Sequence, residues 1–198
     1  MKKVCVLAGI LFSVLISSII VNAKQLQMQR ELAQEVFRFH VLANSDSEKD
    51  QELKMKVKEG IISYMEMELP NAENVDETKE WARSHLEQIE QVARDILYQE
   101  GYTCAVKARV TRCRFPEKTY GDVTFPPGEY EALRVEIGEA KGQNWWCVLY
   151  PNLCFIDAVH AVVPEEGKRE LRKVLEEDTY EMVTATTRFK MGWFFFRK

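Results

Sequence analysis

The sequence lacks the short motifs that usually mark a catalytic site. It has no glycine-rich phosphate loop, no GxSxG nucleophile elbow, no HExxH metal-binding pair and no SxxK dyad. Histidine is scarce, with three residues in 198, so few side chains could act as a general base near neutral pH. Carboxylates are spread along the whole chain and single out no position. The pattern therefore predicts no catalytic residues, no cofactor and no resident metal ion.

The chain also lacks a basic patch with interleaved aromatic residues, an internal repeat and a low-complexity segment. Its formal net charge at pH 7 is −4, and loss of Lys2 and Lys3 with an N-terminal segment would take it to −6. An acidic chain is repelled by the phosphate backbone of nucleic acids. Nucleic acid is therefore not expected as a partner.

A long apolar run is present at the N-terminus. Val4 to Val21 carries no charge and follows the basic pair Lys2-Lys3. The small residues around Ala23 are typical of a signal-peptidase site, so residues 1–23 are predicted to be a signal peptide. The run is also long enough to span a bilayer, which leaves an uncleaved membrane anchor as the alternative. In both cases the rest of the chain is expected to be secreted or extracytoplasmic.

The periodicity of the apolar residues predicts an α+β fold. Residues 24–35 are interpreted as a spacer or a fraying helix, and residues 36–198 as a single ectodomain. The expected order is β-α-α-β-β-β-α, with helices packed on a mixed or antiparallel sheet. The predicted strands lie near residues 36–42, 102–111, 132–137 and 144–150, and the predicted helices near residues 48–69, 76–100 and 164–178.

Four of the five cysteines lie beyond the apolar run, where export would favour their oxidation, and they allow three pairings: Cys104, Cys113, Cys147 and Cys154. A Cys147–Cys154 bridge would close a short loop through Pro151-Asn152, and we predict this bridge. The other two cysteines have an odd separation and would face opposite sides of an unbroken strand, so their state stays open. A Cys₄ zinc site is the alternative, although neither pair has CxxC spacing.

Two further chemistries deserve comparison with simpler interpretations. A thiol hydrolase would need a base beside a cysteine, and Cys147, His40 and Asp46 are one conceivable group, with His85 and His160 as the other histidines.

The segment from Asn44 to Asp50 alternates oxygen ligands like a calcium loop, but Lys49 occupies the place of the glycine that such a loop requires. A capped helix start explains the same residues.

The C-terminal segment RFKMGWFFFRK is an aromatic patch with flanking basic residues. It is expected either to dock on the domain or to lie at a membrane surface. Membrane contact could therefore be made through Val4–Val21 or through these C-terminal aromatic residues.

The segment RFHVLANSDSEKDQELKMKVKEGI, Arg38 to Ile61, resembles the N-terminal signature of the stage II sporulation protein R family. A second block, Phe115 to Phe155, is also similar, and the resemblance covers about residues 36–157. The matching residues of this block include Phe115-Pro116, Tyr120-Gly121, Pro127-Gly128, Asn144-Trp145-Trp146-Cys147 and Leu153-Cys154-Phe155. Cys104 and Cys113 do not belong to the family pattern.

The resemblance implies a signal rather than an enzyme. Members of this family are made in the forespore and exported into the space between the forespore and mother-cell membranes. There they activate a membrane-embedded aspartic protease that processes pro-sigma-E. An export signal and an acidic ectodomain agree with that role. The partner expected from the resemblance is therefore this sigma-factor-processing protease.

Two stretches are candidates for the surface that binds the protease. One is the strand-to-helix turn, where polar groups cluster on a loop, and the other is a tryptophan-rich rim, since tryptophans are good interface anchors. The candidate residues are Arg38, His40, Asn44, Ser45, Asp46 and Asp50 in the first stretch, and Asn144, Trp145 and Trp146 in the second.

Overall fold

The computed structural model describes residues 2–69, 72–151, 153–154 and 163–185, with the side chains of residues 2–11 excepted. The chain begins with one continuous helix, α1, from Lys2 to Glu35. In the described part of the chain, no helix is both long enough and apolar enough to cross a membrane. Residues 24–35, interpreted from the sequence as a spacer or a fraying helix, form the second part of α1.

A mixed four-stranded sheet forms the centre of the domain. Its strands lie in the order β2-β5-β1-β6, with β1 parallel to β5 and the other neighbours antiparallel. A short hairpin, β3–β4, forms a second sheet. The strands are β1 Phe37–Leu42, β2 Val106–Phe115, β3 Lys118–Tyr120, β4 Val123–Phe125, β5 Gly128–Ile137 and β6 Asn144–Tyr150. The α+β class and the mixed sheet predicted from the sequence are confirmed.

The remaining helices are α2 Glu48–Glu68, α3 Val75–Ser84, α4 Leu86–Gln99, α5 Glu165–Val174 and α6 Glu177–Thr184. The second predicted helix is divided at His85, because two side chains compete there for the backbone carbonyls of the helix. Ser84 donates to the carbonyl oxygens of Glu80 and Trp81, and the His85 ring nitrogen Nδ1 lies 2.8 Å from the Trp81 carbonyl oxygen.

The last predicted helix is divided too, for a tertiary reason. Leu175 adopts an extended conformation after α5. The Glu31 carboxylate then accepts the Glu176 backbone N–H at 2.7 Å and the Thr179 hydroxyl at 2.5 Å. A residue of α1 therefore caps the start of α6, which no local pattern could indicate.

The two faces of the sheet carry different cores. Alternate residues of β1, Phe37, Phe39 and Val41, face the core shared with α2, α3 and α4. The opposite face packs under the end of α1, the β3–β4 hairpin, α5 and α6 around Phe115, Tyr130 and Val148. Because the period of a strand is two, Arg38 and His40 point to this second face.

Candidate functional site

The second face of the sheet contains an unusual set of polar groups. Four side chains there bury a nitrogen or oxygen atom that has no hydrogen-bond partner in the described chain: Arg38 Nη1, His40 Nδ1, Arg109 Nε and Asn144 Oδ1. The strand register and the alternation of side chains place all four on the same face. Buried polar groups in folded proteins are normally paired, so this concentration is a candidate site.

We call this surface the polar face. It comprises Arg38, His40, Arg109, Arg134, Glu136, Asn144 and Trp146. One row crosses the whole sheet: Arg109 lies opposite Arg134, Arg134 opposite His40, and His40 opposite Trp146. In the described residues, Arg109 and Arg134 keep 42% and 29% of their side-chain surface exposed. This half of the face is therefore partly open to solvent.

Arg38 lies at the closed end of the polar face and is fully buried. Its guanidinium carbon lies 4.4–5.8 Å from the ring centres of Phe115, Tyr120, Phe125 and Tyr130. Nε donates to the Cys147 carbonyl oxygen at 3.1 Å and Nη2 to the Tyr120 hydroxyl at 3.0 Å. Burial lowers the Arg38 pKa from its ordinary value.

His40 lies at the centre of the row and is also buried. Its ring stacks on Trp146 with the ring centroids 4.9 Å apart. Burial, with the charges of Arg134 and Arg38, lowers the pKa of His40 to about 3. The imidazole is therefore neutral at physiological pH.

A thiol lies beside this imidazole. Cys113 Sγ is 3.4 Å from His40 Nε2. Burial raises the pKa of the Cys113 thiol, although Arg134 acts in the opposite direction. An activated thiol needs the reverse arrangement, in which the thiolate is stabilised by a protonated imidazole. The geometry joins the two residues, but the electrostatics keep both neutral.

The open half of the polar face contains a charged triad. Arg109 and Arg134 lie directly opposite each other on antiparallel strands, where like charges destabilise the sheet. Glu136 accepts hydrogen bonds from both, at 2.7 Å from Arg134 Nε. Burial raises the Glu136 pKa, but its two arginine partners outweigh burial and lower it. One carboxylate thus serves two guanidinium groups and leaves an excess positive charge.

The predicted strand-to-helix turn is a connected polar corner. Asp50 accepts hydrogen bonds from Asn44 at 3.0 Å and from Ser45 at 2.5 Å. The hydrogen bond from Ser45 has the largest effect and the one from Asn44 the next largest, and both lower the Asp50 pKa. Ser47 is the N-cap of α2 and accepts the Asp50 backbone N–H at 3.2 Å.

The same corner joins the turn to the loop between β5 and β6. Asn44 accepts the Glu139 backbone N–H at 2.9 Å, and Asp46 accepts that of Gln143 at 2.7 Å. A Cβ atom at Gly142 would collide with the Ser45 carbonyl oxygen. Many of the polar groups that suggested a contact surface therefore form hydrogen bonds within the chain.

The rim residues divide between the two faces of the sheet. Trp145 points to the helical core and packs edge-on against Phe39, with centroids 5.6 Å apart. Trp146 points to the polar face, as does Asn144, which lies opposite Leu42. Both tryptophans are half-buried. Of the two tryptophans in the predicted rim, Trp146 therefore belongs to the polar face and Trp145 does not.

The sulfur atoms of Cys147 and Cys154 lie at disulfide distance, with their Cα atoms 5.5 Å apart, within the usual range. Cys104 and Cys113 are free thiols and half-buried. Within the described ranges, no three metal-ligating side chains of the His, Cys, Asp and Glu types lie close enough to hold a metal ion. The alternative Cys₄ zinc site is therefore not assembled.

The conceivable Cys147–His40–Asp46 group is not assembled either. Cys147 lies opposite Phe39, so it points to the other face of the sheet from His40. Asp46 is occupied by the Gln143 backbone. His85 packs on Trp81 with centroids 4.4 Å apart. His160 and the C-terminal aromatic patch lie outside the described residues.

Sequence reasoning did not select five residues that belong to this region: Cys113, Tyr120, Arg109, Arg134 and Glu136. A signal for part of the set was present. Arg134 and Glu136 alternate with Leu133, Val135 and Ile137, which is the pattern of a strand with one polar face. The pairing of β5 with β1 and β2, which brings these charges together, is not visible in any local pattern.

The fold and the site define an α+β domain that presents a basic, partly open sheet face. The chain belongs to the stage II sporulation protein R family, whose model matches residues 33–160. A curated relative, stage II sporulation protein R of Bacillus subtilis (strain 168), is 32% identical over 192 residues, which cover 93% of this chain and 86% of the relative. No solved structure matches the chain significantly.

Proposed function

We propose that this protein is an exported signalling protein that activates the membrane-embedded aspartic protease responsible for processing pro-sigma-E during sporulation. Membership of the stage II sporulation protein R family, matched over residues 33–160, is the observation that carries the proposal. The match includes the strands that build the polar face up to Tyr150. The domain would therefore act by binding.

The N-terminal segment supports export, and we propose the space between the forespore and mother-cell membranes as the destination from the family membership. From Phe12 to Val21, large apolar side chains of α1 are exposed, with 64% exposure at Phe12 and 61% at Ile20. Such a surface is unfavourable in water and suits a segment handled by the export machinery or held in lipid. Mass measurement of the exported chain distinguishes cleavage, with Lys24 as the first residue, from retention of the anchor.

Activation by binding sets an energetic requirement. A ligand shifts an equilibrium between inactive and active protease only if it binds the active state more tightly. A preference of about 3 kcal/mol would shift the populations by a factor on the order of a hundred. The protein would therefore need a surface that discriminates between two arrangements of the protease.

The alternative is an exported thiol-dependent or cell-wall hydrolase. Its thiol would have to be Cys113, because within the described chain only this cysteine contacts a histidine. The raised pKa of Cys113 and the lowered pKa of His40 both oppose a thiolate–imidazolium pair. The structure thus gives the hydrolase a contact but not the electrostatics that it needs.

Co-expression in a non-sporulating host tests the proposal. The full chain is exported beside the protease, and conversion of pro-sigma-E is followed by gel mobility. We expect conversion with the wild type and with Cys113→Ser, which removes the thiol and keeps a side chain of similar size. Loss of conversion in a folded Cys113→Ser protein would favour the hydrolase. No conversion by a folded, exported wild type would overturn the proposal.

A further inference from the structure

We propose that the polar face is a docking surface for an acidic segment of the partner protein, with one carboxylate bound between Arg109 and Arg134 and an apolar side chain placed on Trp146. The inference rests on the proposed function for the identity of that partner, the protease. The nature of the surface rests on the structure alone.

The first argument is the excess of positive charge. Arg109 and Arg134 share Glu136, so the triad keeps a net positive charge. Lys107 lies opposite Glu136 on the same face and is exposed, and Lys118 places its ammonium nitrogen 5.7 Å from the ring centre of Trp146. This basic surface belongs to a chain whose formal charge is −4. A carboxylate partner is the complementary chemistry.

The second argument is unused hydrogen-bonding capacity. Arg109 Nε is buried and has no partner in the described residues, while 42% of the Arg109 side chain is exposed. Asn144 Oδ1 and His40 Nδ1 are buried on the same face and likewise have no partner within the described part of the chain. Leaving such buried groups unpaired costs about 1–3 kcal/mol each. A carboxylate can accept hydrogen bonds from the exposed part of the Arg109 and Arg134 side chains, which keep 42% and 29% of their surface open in the described chain. Guanidinium groups bind carboxylates in a forked, directional geometry.

The third argument is the spacing along the row. Arg134 on β5 and Trp146 on β6 are separated by one strand, β1, and neighbouring strands lie about 4.8 Å apart. A carboxylate between β2 and β5 lies about two and a half strand spacings from the Trp146 ring, which is about 12 Å. Three extended residues span about 10 Å, and the length of a glutamate side chain covers the rest. An acidic residue and an apolar residue three positions apart would satisfy both contacts.

A peptide titration tests the surface independently of the protease. The probe is an acetylated, amidated Glu-Gly-Ser-Phe peptide, and the control peptide has Gln in place of Glu. Binding to the detergent-solubilised full chain is followed by the tryptophan Nε1–H signals in ¹⁵N–¹H spectra. We expect Arg109→Gln to weaken binding of the Glu peptide by about tenfold or more.

Arg112→Gln is the matched control. Arg112 lies on the same strand, is exposed, and alternates to the opposite face of the sheet. We expect it to bind the Glu peptide like the wild type. Equal binding of the Glu and Gln peptides, or equal weakening by both variants, would overturn the proposal. Thermal unfolding of each variant establishes that it is folded.

The co-expression assay supplies the second arm. If the wild type converts pro-sigma-E, we expect Arg109→Gln to reduce the rate about tenfold and Arg112→Gln to leave it unchanged. Full activity of Arg109→Gln would contradict the proposed docking surface but would not contradict the activator role. If the wild type is inactive, the activator role fails and the peptide titration decides the surface. Binding of each variant to phosphatidylglycerol vesicles is measured as well. If Arg109→Gln loses vesicle binding but still binds the Glu peptide like the wild type, the face belongs to lipid and the proposal is overturned.

Discussion

The Arg38 guanidinium donates a hydrogen bond to the Tyr120 hydroxyl at 3.0 Å and thereby fastens the β3–β4 hairpin to the central strand β1. Tyr120 ends β3, and its ring packs edge-on against Phe125 of β4. The hairpin therefore closes over a buried charge that has no carboxylate partner in the described chain. Its position depends on this contact, on the surrounding rings, and on Asp122 in the hairpin turn, which accepts the Val163 backbone N–H at 2.9 Å and pairs with Lys168 at 2.6 Å.

Removal of the Tyr120 hydroxyl should loosen this closure. We expect Tyr120→Phe to destabilise the fold by about 1.5–3 kcal/mol, because the lost bond has a charged donor in a buried place. Tyr130→Phe is the control, since its hydroxyl donates to the neutral carbonyl of Pro126 at 2.8 Å. That variant should cost about 1 kcal/mol. Urea unfolding compares them, and equal costs would contradict a special role for Arg38.

The pH dependence of stability should report His40. Its folded pKa of about 3 lies below the ordinary 6.5, so the unfolded state binds the proton more readily. The contribution of His40 is complete above about pH 6.5 and is lost as the pH falls towards 3. Between pH 7 and pH 5 the wild type should lose about 2 kcal/mol more than His40→Gln. Parallel losses in urea unfolding would show that His40 is not the group responsible.

The pairing of Cys147 with Cys154 can be tested chemically. Peptide mapping by mass spectrometry without reduction should find the two residues linked, with Cys104 and Cys113 as free thiols. Reduction should destabilise the fold by about 2–3 kcal/mol, because the bond closes a short loop. Cys104→Ser serves as the control and should leave the effect of reduction unchanged. Two free thiols at positions 147 and 154, in protein purified from an oxidising compartment, would refute the pairing.

The second part of α1 should contribute to stability although it follows the apolar export segment. Leu32 is fully buried and Leu26 is 53% exposed on the same helix. We expect Leu32→Ala to cost about 2–5 kcal/mol, because it leaves a cavity in the second core. Leu26→Ala should change stability by less than about 0.5 kcal/mol. Thermal unfolding measures both, and similar small effects would mean that this end of α1 is not integrated.

Local patterns predicted most of the elements and missed those that tertiary contacts create. The strand at Phe37–Leu42, the helix at Glu48–Glu68 and the strand at Asn144–Tyr150 follow apolar periodicity and capping residues that act within a few positions. The β3–β4 hairpin was missed because its strands have three residues each and are held by Arg38. The break before α6 was missed because its cap comes from Glu31.

The candidate site divides in the same way. His40, Arg38, Asn144 and Trp146 were selected from motifs, but the turn residues Asn44, Ser45 and Asp46 were found to form internal hydrogen bonds. Arg109, Arg134 and Glu136 entered only when the register of β2, β5 and β1 brought them into one row. The sequence by itself determined the fold class, the alternating faces and the family signature, because each depends on residues only a few positions apart in the chain. Only the tertiary structure decided which polar side chains share a face, because strand pairing joins residues far apart in the chain.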